Sequence, residues 1–385
     1  MYKKIFAIMM AAAMMLTCLA GCGNDKPAAS TGAIKIGGIG PLTGDAATYG
    51  IATRNGAQIA VDEINAKGGL QFELNFQDDV AEGEKGVNAY NNLKDWGMQI
   101  LYGCTTTGSC MAVASETYAD RYFQLTPSAS STEVTNGKDN VFQMCFTDPN
   151  QGIAAADYVA DNQLGTKLAV LYNNGSDYST GIAMAFVKQA EARGLEVVAQ
   201  VTYPDDTNTD YNVQLNEAKA AGADLMFLPI YYTPASLMLA QAKDMGYAPT
   251  FFGADGMDGI LTLEGFNMSL AEGLLLMTPF NATAADERTQ NFVKAYTEKY
   301  GTDTLNQFAA DGYDCIYAIY EACQKNGITA QSKPEEICEK LIATFTSADF
   351  KIDGLTGTGM GWTTAGEISK TPMVVEIVGG AYETK

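Results

Sequence analysis

The sequence predicts an α/β protein with two lobes, each built on a doubly wound, parallel sheet. Apolar runs with strand character alternate with helix-like segments along most of the chain, as in βα units. The chain has 385 residues, enough for two domains of ordinary size. The order of these elements indicates three crossings between the lobes, near Thr147, Thr278 and Thr356. Three crossings form a hinge that permits closure about a cleft.

The composition is that of a globular protein and argues against nucleic acid as a partner. Hydrophobic residues make up 47% of the chain and charged residues 18%. The formal net charge is −21, from 24 basic and 45 acidic residues. Because nucleic-acid binders usually carry a basic patch, we expect no nucleic acid partner. An acidic surface also repels anionic lipid headgroups, so membrane attachment needs a separate device.

The start of the chain supplies such a device. We predict a lipoprotein signal peptide over residues 1–21, because two lysines precede an apolar run shorter than the roughly 20 residues of a spanning helix. The run ends in Leu-Ala-Gly-Cys, which resembles a bacterial lipobox. We therefore expect Cys22 to carry lipid on the extracytoplasmic face of the cell membrane, with residues 22–33 as a lipidated tether. The alternative is an ordinary signal peptide with a chance cysteine.

Eight cysteines occur in the chain, of which Cys18 lies in the signal peptide and Cys22 is the lipid site. The others are Cys104, Cys110, Cys145, Cys315, Cys323 and Cys338. Export permits disulfides, but six cysteines allow 15 full pairings, and the sequence does not choose among them. Because C-x-x-C and histidine are absent, we expect no metal site and no cofactor.

The N-terminal lobe is predicted to comprise residues 34–147 and 279–355. Its first strand enters a glycine-rich loop, and the helix that follows stops at Gly68. The next elements are a strand over 72–76, a helix over about 84–96 and a strand over 99–102. The stretch 286–345 has the pattern of three helices with little strand. Because it cannot form a sheet of its own, we assign it to this lobe.

The C-terminal lobe is predicted to comprise residues 148–278 and 356–385. Its strands are expected at 167–172, 195–203, 224–229 and 250–253, with helices at 180–193, 211–221 and 234–245. This is a second βα series of similar length. The tail over 373–378 has the pattern of a lone strand and needs a host sheet.

Two loops of small hydroxyl residues follow strands of the first lobe, at 103–109 and 126–131. Ligands in open α/β sheets bind outside the carboxyl ends of the strands. Small residues before a helix leave backbone N–H groups free to hold an anion. Thr107 and Ser130 are therefore candidates to hold one carboxylate from two sides. Ordinary helix capping is the alternative for each loop.

Three further stretches are Ile-Gly-Gly-Ile-Gly-Pro-Leu-Thr-Gly at 36–44, Ala-Thr-Tyr-Gly at 47–50 and Ile-Asn-Ala-Lys-Gly-Gly at 64–69. With the hydroxyl loops, they resemble the type I periplasmic binding proteins. They resemble more closely the branched-chain amino-acid-binding (leucine/isoleucine/valine-binding) proteins of ABC importers. The resemblance implies two Rossmann-like lobes joined by a three-strand hinge. It also implies an amino acid, of branched-chain type, held in the cleft and delivered to permease subunits.

The resemblance implies these ligand-binding residues: Tyr49, Thr107, Ser128, Ser130, Tyr178, Tyr231 and Asp255. Thr107 and the hydroxyl and N–H of Ser130 would hold the carboxylate of the ligand, and Ser128 would offer its carbonyl. Asp255 would meet the ammonium, although the family acid is often glutamate, which is one methylene longer. Tyr232 is an alternative to Tyr231 as the aromatic residue that contacts the ligand. From the residues alone, Asp255 is as well suited to cap a helix.

Three other functions stay open at this point. An enzyme is not expected, because without histidine the general base would be Asp, Glu, Lys or Tyr, and no nucleophile elbow or paired acids at matching strand ends are evident. An extracytoplasmic sensor would share this fold and site. So would a binding protein for another small molecule, such as an amide or an aromatic acid. We expect a monomer, and the sequence leaves the side-chain specificity undefined.

Overall fold

The computed structural model describes residues 32–205 and 209–385. The signal peptide, Cys22 and the tether up to residue 31 lie outside the described residues. Among the residues that are described, no helix has both the length and the apolar character needed to cross a membrane.

The strands form two separate sheets. The described residues contain twelve strands, which in chain order are β1 (Ile34–Gly40), β2 (Phe72–Asp78), β3 (Ile100–Gly103), β4 (Gln124–Thr126), β5 (Val141–Gln143), β6 (Lys167–Asn173), β7 (Glu196–Tyr203), β8 (Leu225–Leu228), β9 (Thr250–Gly253), β10 (Leu275–Thr278), β11 (Met373–Val378) and β12 (Ala381–Thr384). The first sheet has the order β2-β1-β3-β4-β5, and all its pairs are parallel. The second has the order β12-β11-β10-β9-β8-β6-β7 and is parallel from β10 to β7. The predicted fold class is confirmed.

Helices connect the strands and cover the sheets. Across the described ranges the α-helices are α1 (Ala47–Ala66), α2 (Gly83–Trp96), α3 (Thr107–Asp120), α4 (Asp148–Asn162), α5 (Asp177–Ala192), α6 (Asn212–Ala220), α7 (Tyr232–Asp244), α8 (Glu287–Tyr300), α9 (Gln307–Lys325) and α10 (Pro334–Phe345). Short 3₁₀ helices lie at Thr132–Val134, Asp255–Met257, Ile260–Thr262 and Met268–Ala271. The three helices expected over 286–345 are therefore present.

Helices α9 and α10 complete the core of the first sheet. Cys315, Ile316 and Leu341 are fully buried in one cluster with Ile36 and Ile100 of the strands. Burial of side chains of this size contributes roughly 1.5–3 kcal/mol each. These two helices of the stretch 286–345 thus pack on a sheet formed by residues far earlier in the chain.

The C-terminal segment joins the two sheets. The tail strand β11 pairs antiparallel with β10, which supplies the host sheet that it needs. Before that, Met360, Trp362 and Ile368 pack in the core of the first sheet, and Trp362 Nε1 donates to the carbonyl of Gln143 (2.8 Å). The lobe boundaries stay a prediction. This packing favours a last crossing after Ile368 rather than at Thr356.

The cysteines play no cross-linking role in the described part of the chain. All six that it contains are buried and have free thiols. The sequence left the disulfide pairing open, and in the described residues these cysteines form no disulfide but fill the cores. Cysteine thiols are small and apolar and are among the side chains most often found in cores.

Helix α1 lies unusually close to α9, and two glycines permit the approach. A Cβ added to Gly56 would lie 1.9 Å from the carbonyl oxygen of Ala309. A Cβ added to Gly312 would lie 2.5 Å from the carbonyl oxygen of Thr53. Both obstacles are backbone atoms of a helix, so neither can move aside without displacing its helix.

We expect Gly56→Ala to destabilise the protein by about 1–3 kcal/mol or more, because the added methyl overpacks the interface between the two helices. The midpoint of thermal unfolding, followed by circular dichroism, measures the change. Gly108→Ala in α3 is the matched control, since its Cβ would meet nothing within 4 Å and helix propensity improves by up to about 1 kcal/mol. Equal melting temperatures for Gly56→Ala and wild type would contradict the close approach.

Candidate functional site

The candidate site lies where loops at the carboxyl ends of both sheets face each other. On the side of the first sheet, the loops after β1, β3 and β4 bring Tyr49, Thr107 and Ser128 to the cleft. On the side of the second sheet, the loops after β6, β8 and β9 bring Tyr178, Tyr231 and Asp255. This arrangement follows from the parallel strands, whose carboxyl ends share one edge of each sheet.

These side chains surround a small cavity of about 10 Å³, which we call the inner cavity. Its lining comprises Tyr49, Thr105, Thr106, Thr107, Ser128, Tyr178, Tyr231, Asp255, Gly256 and Phe308. Ser130 does not line it, although it is fully buried in the same loop as Ser128. A cavity of this volume holds roughly one water molecule, so any larger ligand requires the cleft to widen.

Tyr49 links the two sides of the cleft. Its hydroxyl donates to the carbonyl of Gly256 and accepts from the N–H of Tyr232 (3.3 Å). Its ring packs edge-on against Tyr231, with centroids 5.2 Å apart, and at a tilt against Phe308, 4.4 Å away. Aromatic pairs at these separations add about 0.5–1.5 kcal/mol each beyond their burial. An aromatic wall therefore closes the side of the inner cavity at Tyr49.

Asp255 is buried, with 3% of its surface exposed, and its carboxylate is held by a tyrosine. The hydroxyl of Tyr178 donates to Asp255 Oδ1 (2.7 Å) and accepts from the N–H of Gly256 (2.9 Å). The backbone of Asp255 is also fixed, because its N–H donates to Gln151 Oε1 (3.0 Å) and its carbonyl accepts from Gln307 Nε2 (2.8 Å). The backbone bonds leave the carboxylate free to face the cavity.

The helix-capping alternative for Asp255 does not match this geometry. Ala254 occupies the cap position of the 3₁₀ helix Asp255–Met257, and no side chain caps that helix. The recorded side-chain hydrogen bond of Asp255 goes to Tyr178 instead.

Burial controls the acid–base properties of the site. It raises the pKa of Asp255 from 3.8 to about 6, and hydrogen bonds from Tyr178 and Gln151 offset part of that rise. Burial, together with the charge of Asp255, also raises the pKa of Tyr178 well above its usual range. No ion pair of the described residues includes Asp255. The site therefore holds a desolvated carboxyl group that would gain strongly from a cation.

Opposite this acid lie hydroxyls without partners. The Oγ atoms of Thr106 and Thr107 are buried and make no hydrogen bond. The Oγ of Ser130 also makes no hydrogen bond of good geometry, but it lies near the Asp148 carboxyl group. Thr106 is the cap residue of α3, yet its side chain makes no capping bond. Leaving a buried hydroxyl unsatisfied costs about 1–3 kcal/mol, so these groups are suited to a polar ligand. Ser128 differs, because its hydroxyl donates to the carbonyl of Thr105 (2.6 Å).

A second buried acid stands behind the hydroxyls. Asp148 is the first residue of α4, and its N–H donates to the carbonyl of Ser130 (2.9 Å). Burial raises the pKa of Asp148 well above its usual range, and the nearby Ser130 hydroxyl offsets part of that rise. Burial therefore disfavours the charged form of Asp148 close to the place proposed for a ligand carboxylate.

Sequence reasoning missed four of the lining residues and both glutamines. Thr105 and Thr106 belong to the hydroxyl loop 103–109, which the sequence identified as a candidate site. Only Thr107 was predicted from that loop, although its two neighbours also line the cavity. Phe308 and Gln307 begin α9, far along the chain, where no local pattern marks them. Tyr232, the alternative to Tyr231, lies behind the wall, where its ring packs on Tyr49 with centroids 5.0 Å apart.

Comparison with known proteins agrees with this architecture. The family model described as "Periplasmic binding protein" matches residues 33–381. A Leu/Ile/Val-binding protein homolog 3 of Brucella melitensis biotype 1 is 32% identical over 287 residues, covering 72% of this chain and 76% of that protein. The leucine-, isoleucine-, valine-, threonine- and alanine-binding protein of Pseudomonas aeruginosa is 29% identical over 330 residues, covering 84% and 86%.

A solved structure is similar over almost the whole described chain. It is the branched-chain amino acid transporter substrate binding protein LivJ of Streptococcus pneumoniae, in complex with isoleucine. The TM-score is 0.81 at 26% identity, and the match covers 92% of this chain and 100% of that one.

We expect Tyr178→Phe to raise the pKa of Asp255 above its value of about 6, because the hydroxyl that stabilises the ionised carboxylate is removed. Carbon-13 NMR titration of the aspartate carboxyl carbons measures the shift, and Asp255→Asn assigns the resonance. Tyr247→Phe is the control, since that hydroxyl donates to the carbonyl of Ala223 instead. An unchanged titration in Tyr178→Phe would contradict the hydrogen bond.

Proposed function

The chain belongs to the periplasmic binding protein family, and from that premise we propose that it is the extracytoplasmic substrate-binding component of an ABC importer. It binds an amino acid in the inner cavity and delivers it to permease subunits. Branched-chain amino acids are the first candidates, because the related proteins described above are named for them. The observation that carries the proposal is the buried Asp255 carboxyl group facing partnerless hydroxyls across one cavity.

The two ends of an amino acid match the two sides of this cavity. Thr107, at the start of α3, supplies a neutral hydroxyl donor for the carboxylate, and Ser130, which lies behind the lining, supplies a second one when the cleft widens around the ligand. The first N–H groups of α3 have no partner within the helix and add positive potential there. Asp255 supplies the negative charge for the ammonium. Hydrogen bonds with charged groups are about twice as strong as neutral ones, so both ends are bound well.

The aromatic residues provide the walls of the site. Tyr49, Tyr178 and Tyr231 present apolar faces to a ligand while their hydroxyls keep hydrogen bonds or face polar groups. Ser128 contributes its carbonyl. These roles rest on the placement of the residues around the inner cavity and on the resemblance of the sequence, and mutation of each residue tests them separately.

Ligand entry requires the lobes to separate. We place the N-terminal lobe at residues 34–147 and 279–355 and the C-terminal lobe at 148–278 and 356–385, with the start of the last segment nearer Ile368 on packing grounds. The inner cavity of about 10 Å³ is too small for an amino acid, so opening must precede binding. Opening breaks the contact from Tyr49 to Gly256, which binding energy restores on closure.

The protein acts as a monomer that binds without turnover. It is held at the extracytoplasmic face of the cell membrane through lipid on Cys22, after removal of a signal peptide over residues 1–21. The support for the anchor is the Leu-Ala-Gly-Cys sequence that ends a short apolar run. A lipid anchor keeps a protein of net charge −21 near its permease despite electrostatic repulsion from anionic lipids.

We expect Asp255→Asn to weaken binding of L-leucine by roughly 30-fold to several-thousand-fold, because loss of one partner of a desolvated charge pair costs about 2–5 kcal/mol. Isothermal titration calorimetry measures the affinity. Asp258→Asn is the control, since that acid is equally buried but binds Tyr382 (2.7 Å) and does not line the cavity. 4-Methylpentanoate, which lacks the amino group, should bind weakly to wild type and lose far less in Asp255→Asn.

The same experiment has a pH dependence with a definite sign. Because the pKa of Asp255 is about 6, this carboxyl group is largely protonated below pH 6 in the free protein. It must then lose its proton before it can bind the ammonium of the ligand. Affinity should therefore be constant above pH 7 and fall about tenfold per pH unit well below pH 6. Asp255→Asn should abolish this dependence. Full affinity for leucine in Asp255→Asn would mean that the acid does not meet the ammonium.

We expect mass spectrometry of the membrane fraction to show a mature protein that begins with a diacylated Cys22. The lipobox resemblance is the reason, since the cysteine there becomes the first residue. Cys22→Ala should lack the lipid and keep its leader, whereas Cys18→Ala should be processed normally. A wild-type protein released in soluble form with another N-terminus would disprove the anchor.

A further inference from the structure

A second cavity of about 420 Å³ adjoins the inner cavity and opens toward the protein surface between the two sheets. We call it the outer chamber. It shares Thr106, Tyr178 and Tyr231 with the inner cavity, so those three residues form the boundary between the two cavities. Because ligand binding requires the cleft to widen, a ligand whose α-amino and α-carboxyl groups lie in the inner cavity has its side chain directed at this boundary and at the chamber beyond it.

The outer chamber carries negative charge that the described residues do not neutralise. Asp45, Asp177 and Asp205 line it, and no lysine or arginine does. None of the three takes part in an ion pair of the described chain. Asp45 follows β1 of the first sheet, whereas Asp177 begins α5 and Asp205 follows β7 of the second sheet, so both sides of the chamber carry negative charge.

Tyrosine rings cover much of the remaining wall. Tyr178, Tyr203 and Tyr231 are in the lining, and the first two are buried. Burial raises the pKa of Tyr203, and the neighbouring Tyr211 and Asp205 add to the rise. Tyrosine faces accept both a methylene stem and a cation beyond it.

Thr106 gives an independent sign that a polar ligand passes this point. It is 5% exposed, and its Oγ has no hydrogen-bond partner although it stands at the cap position of α3. It lines both cavities. A buried hydroxyl that caps no helix and meets no protein group is explained if a polar ligand supplies its partner.

We propose that the amino-acid site admits a long side chain with a cationic end, which passes Thr106 and lies among Asp45, Asp177 and Asp205. The inference rests on the proposed function and extends its ligand class to lysine-like and arginine-like amino acids. A branched aliphatic side chain ends near the boundary between the two cavities and gains no binding energy from the three carboxylates. A lysine-like side chain places its stem against the tyrosines and its ammonium in the acidic chamber.

The test compares L-lysine with L-norleucine, which has the same four-carbon side chain but lacks the terminal ammonium. At low ionic strength, calorimetry on the purified protein should show lysine binding at least tenfold more tightly. Added salt should reduce the difference, because the three acids are exposed and screened. Asp177→Asn and Asp205→Asn should each weaken lysine several-fold and leave norleucine unchanged. Asp349→Asn, which lines neither cavity, is the matched control.

Two failures are distinguishable. Norleucine binding as tightly as lysine, or aspartate variants without effect on lysine, would overturn this inference and leave the amino-acid function standing. Absence of binding by lysine, norleucine and leucine alike would overturn both proposals. Thr106→Val, which removes the hydroxyl and keeps the shape, should weaken lysine and norleucine to the same degree, because the hydroxyl meets the part that they share.

Discussion

The site depends on one constraint, which is a carboxyl group buried without a cation. Asp255 loses the solvation of water, and Tyr178 and Gln151 compensate only in part, so its pKa rises to about 6. Burial of an isolated charge is costly, and the protein tolerates it here because the surrounding chain holds the residue rigidly. Its N–H and its carbonyl are each bound by a glutamine from a different helix. When the ammonium of a ligand pairs with this carboxylate, the interaction offsets the cost of burying the charge and so favours binding.

The two glutamines come from parts of the chain that sit on either side of the cleft. Gln151 lies in α4, directly after the first predicted crossing, and Gln307 is the first residue of α9, whose later turns pack on the first sheet. Asp255 itself follows a strand of the second sheet. The orientation of the acid is therefore sensitive to the relative position of the two sheets, and closure and ligand recognition share the same contacts.

The sequence predicted the parts of the site that local pattern defines. Thr107 and Asp255 each follow a strand of recognisable character, and parallel strands must bring such positions to one edge, whereas Tyr178 was named by the family resemblance. Phe308 escaped prediction, because its role arises only when a helix from late in the chain packs beside Tyr49. The position of the last crossing stays a prediction, and long-range packing favours a place after Ile368 over Thr356. The segment 352–368 forms only isolated β-bridges and no regular strand. Its apolar side chains, such as Trp362, pack in the core of the first sheet, against residues far away in the sequence.

One face of α9 ties these features together. Gln307, Asp311 and Asp314 are spaced as neighbours along a helix. Gln307 binds the backbone of Asp255, and Asp311 forms a buried ion pair with Lys370 (2.8 Å) just before the chain enters β11. Asp314 accepts from the N–H groups of residues 355 and 356 (2.8 and 2.9 Å). Removing one partner of a buried ion pair costs about 3–5 kcal/mol, so the Lys370 contact is a strong anchor. The helix thus anchors both ends of the segment 355–370 to the first sheet, and its hydrogen bond from Gln307 to the carbonyl of Asp255 must break when the second sheet moves away.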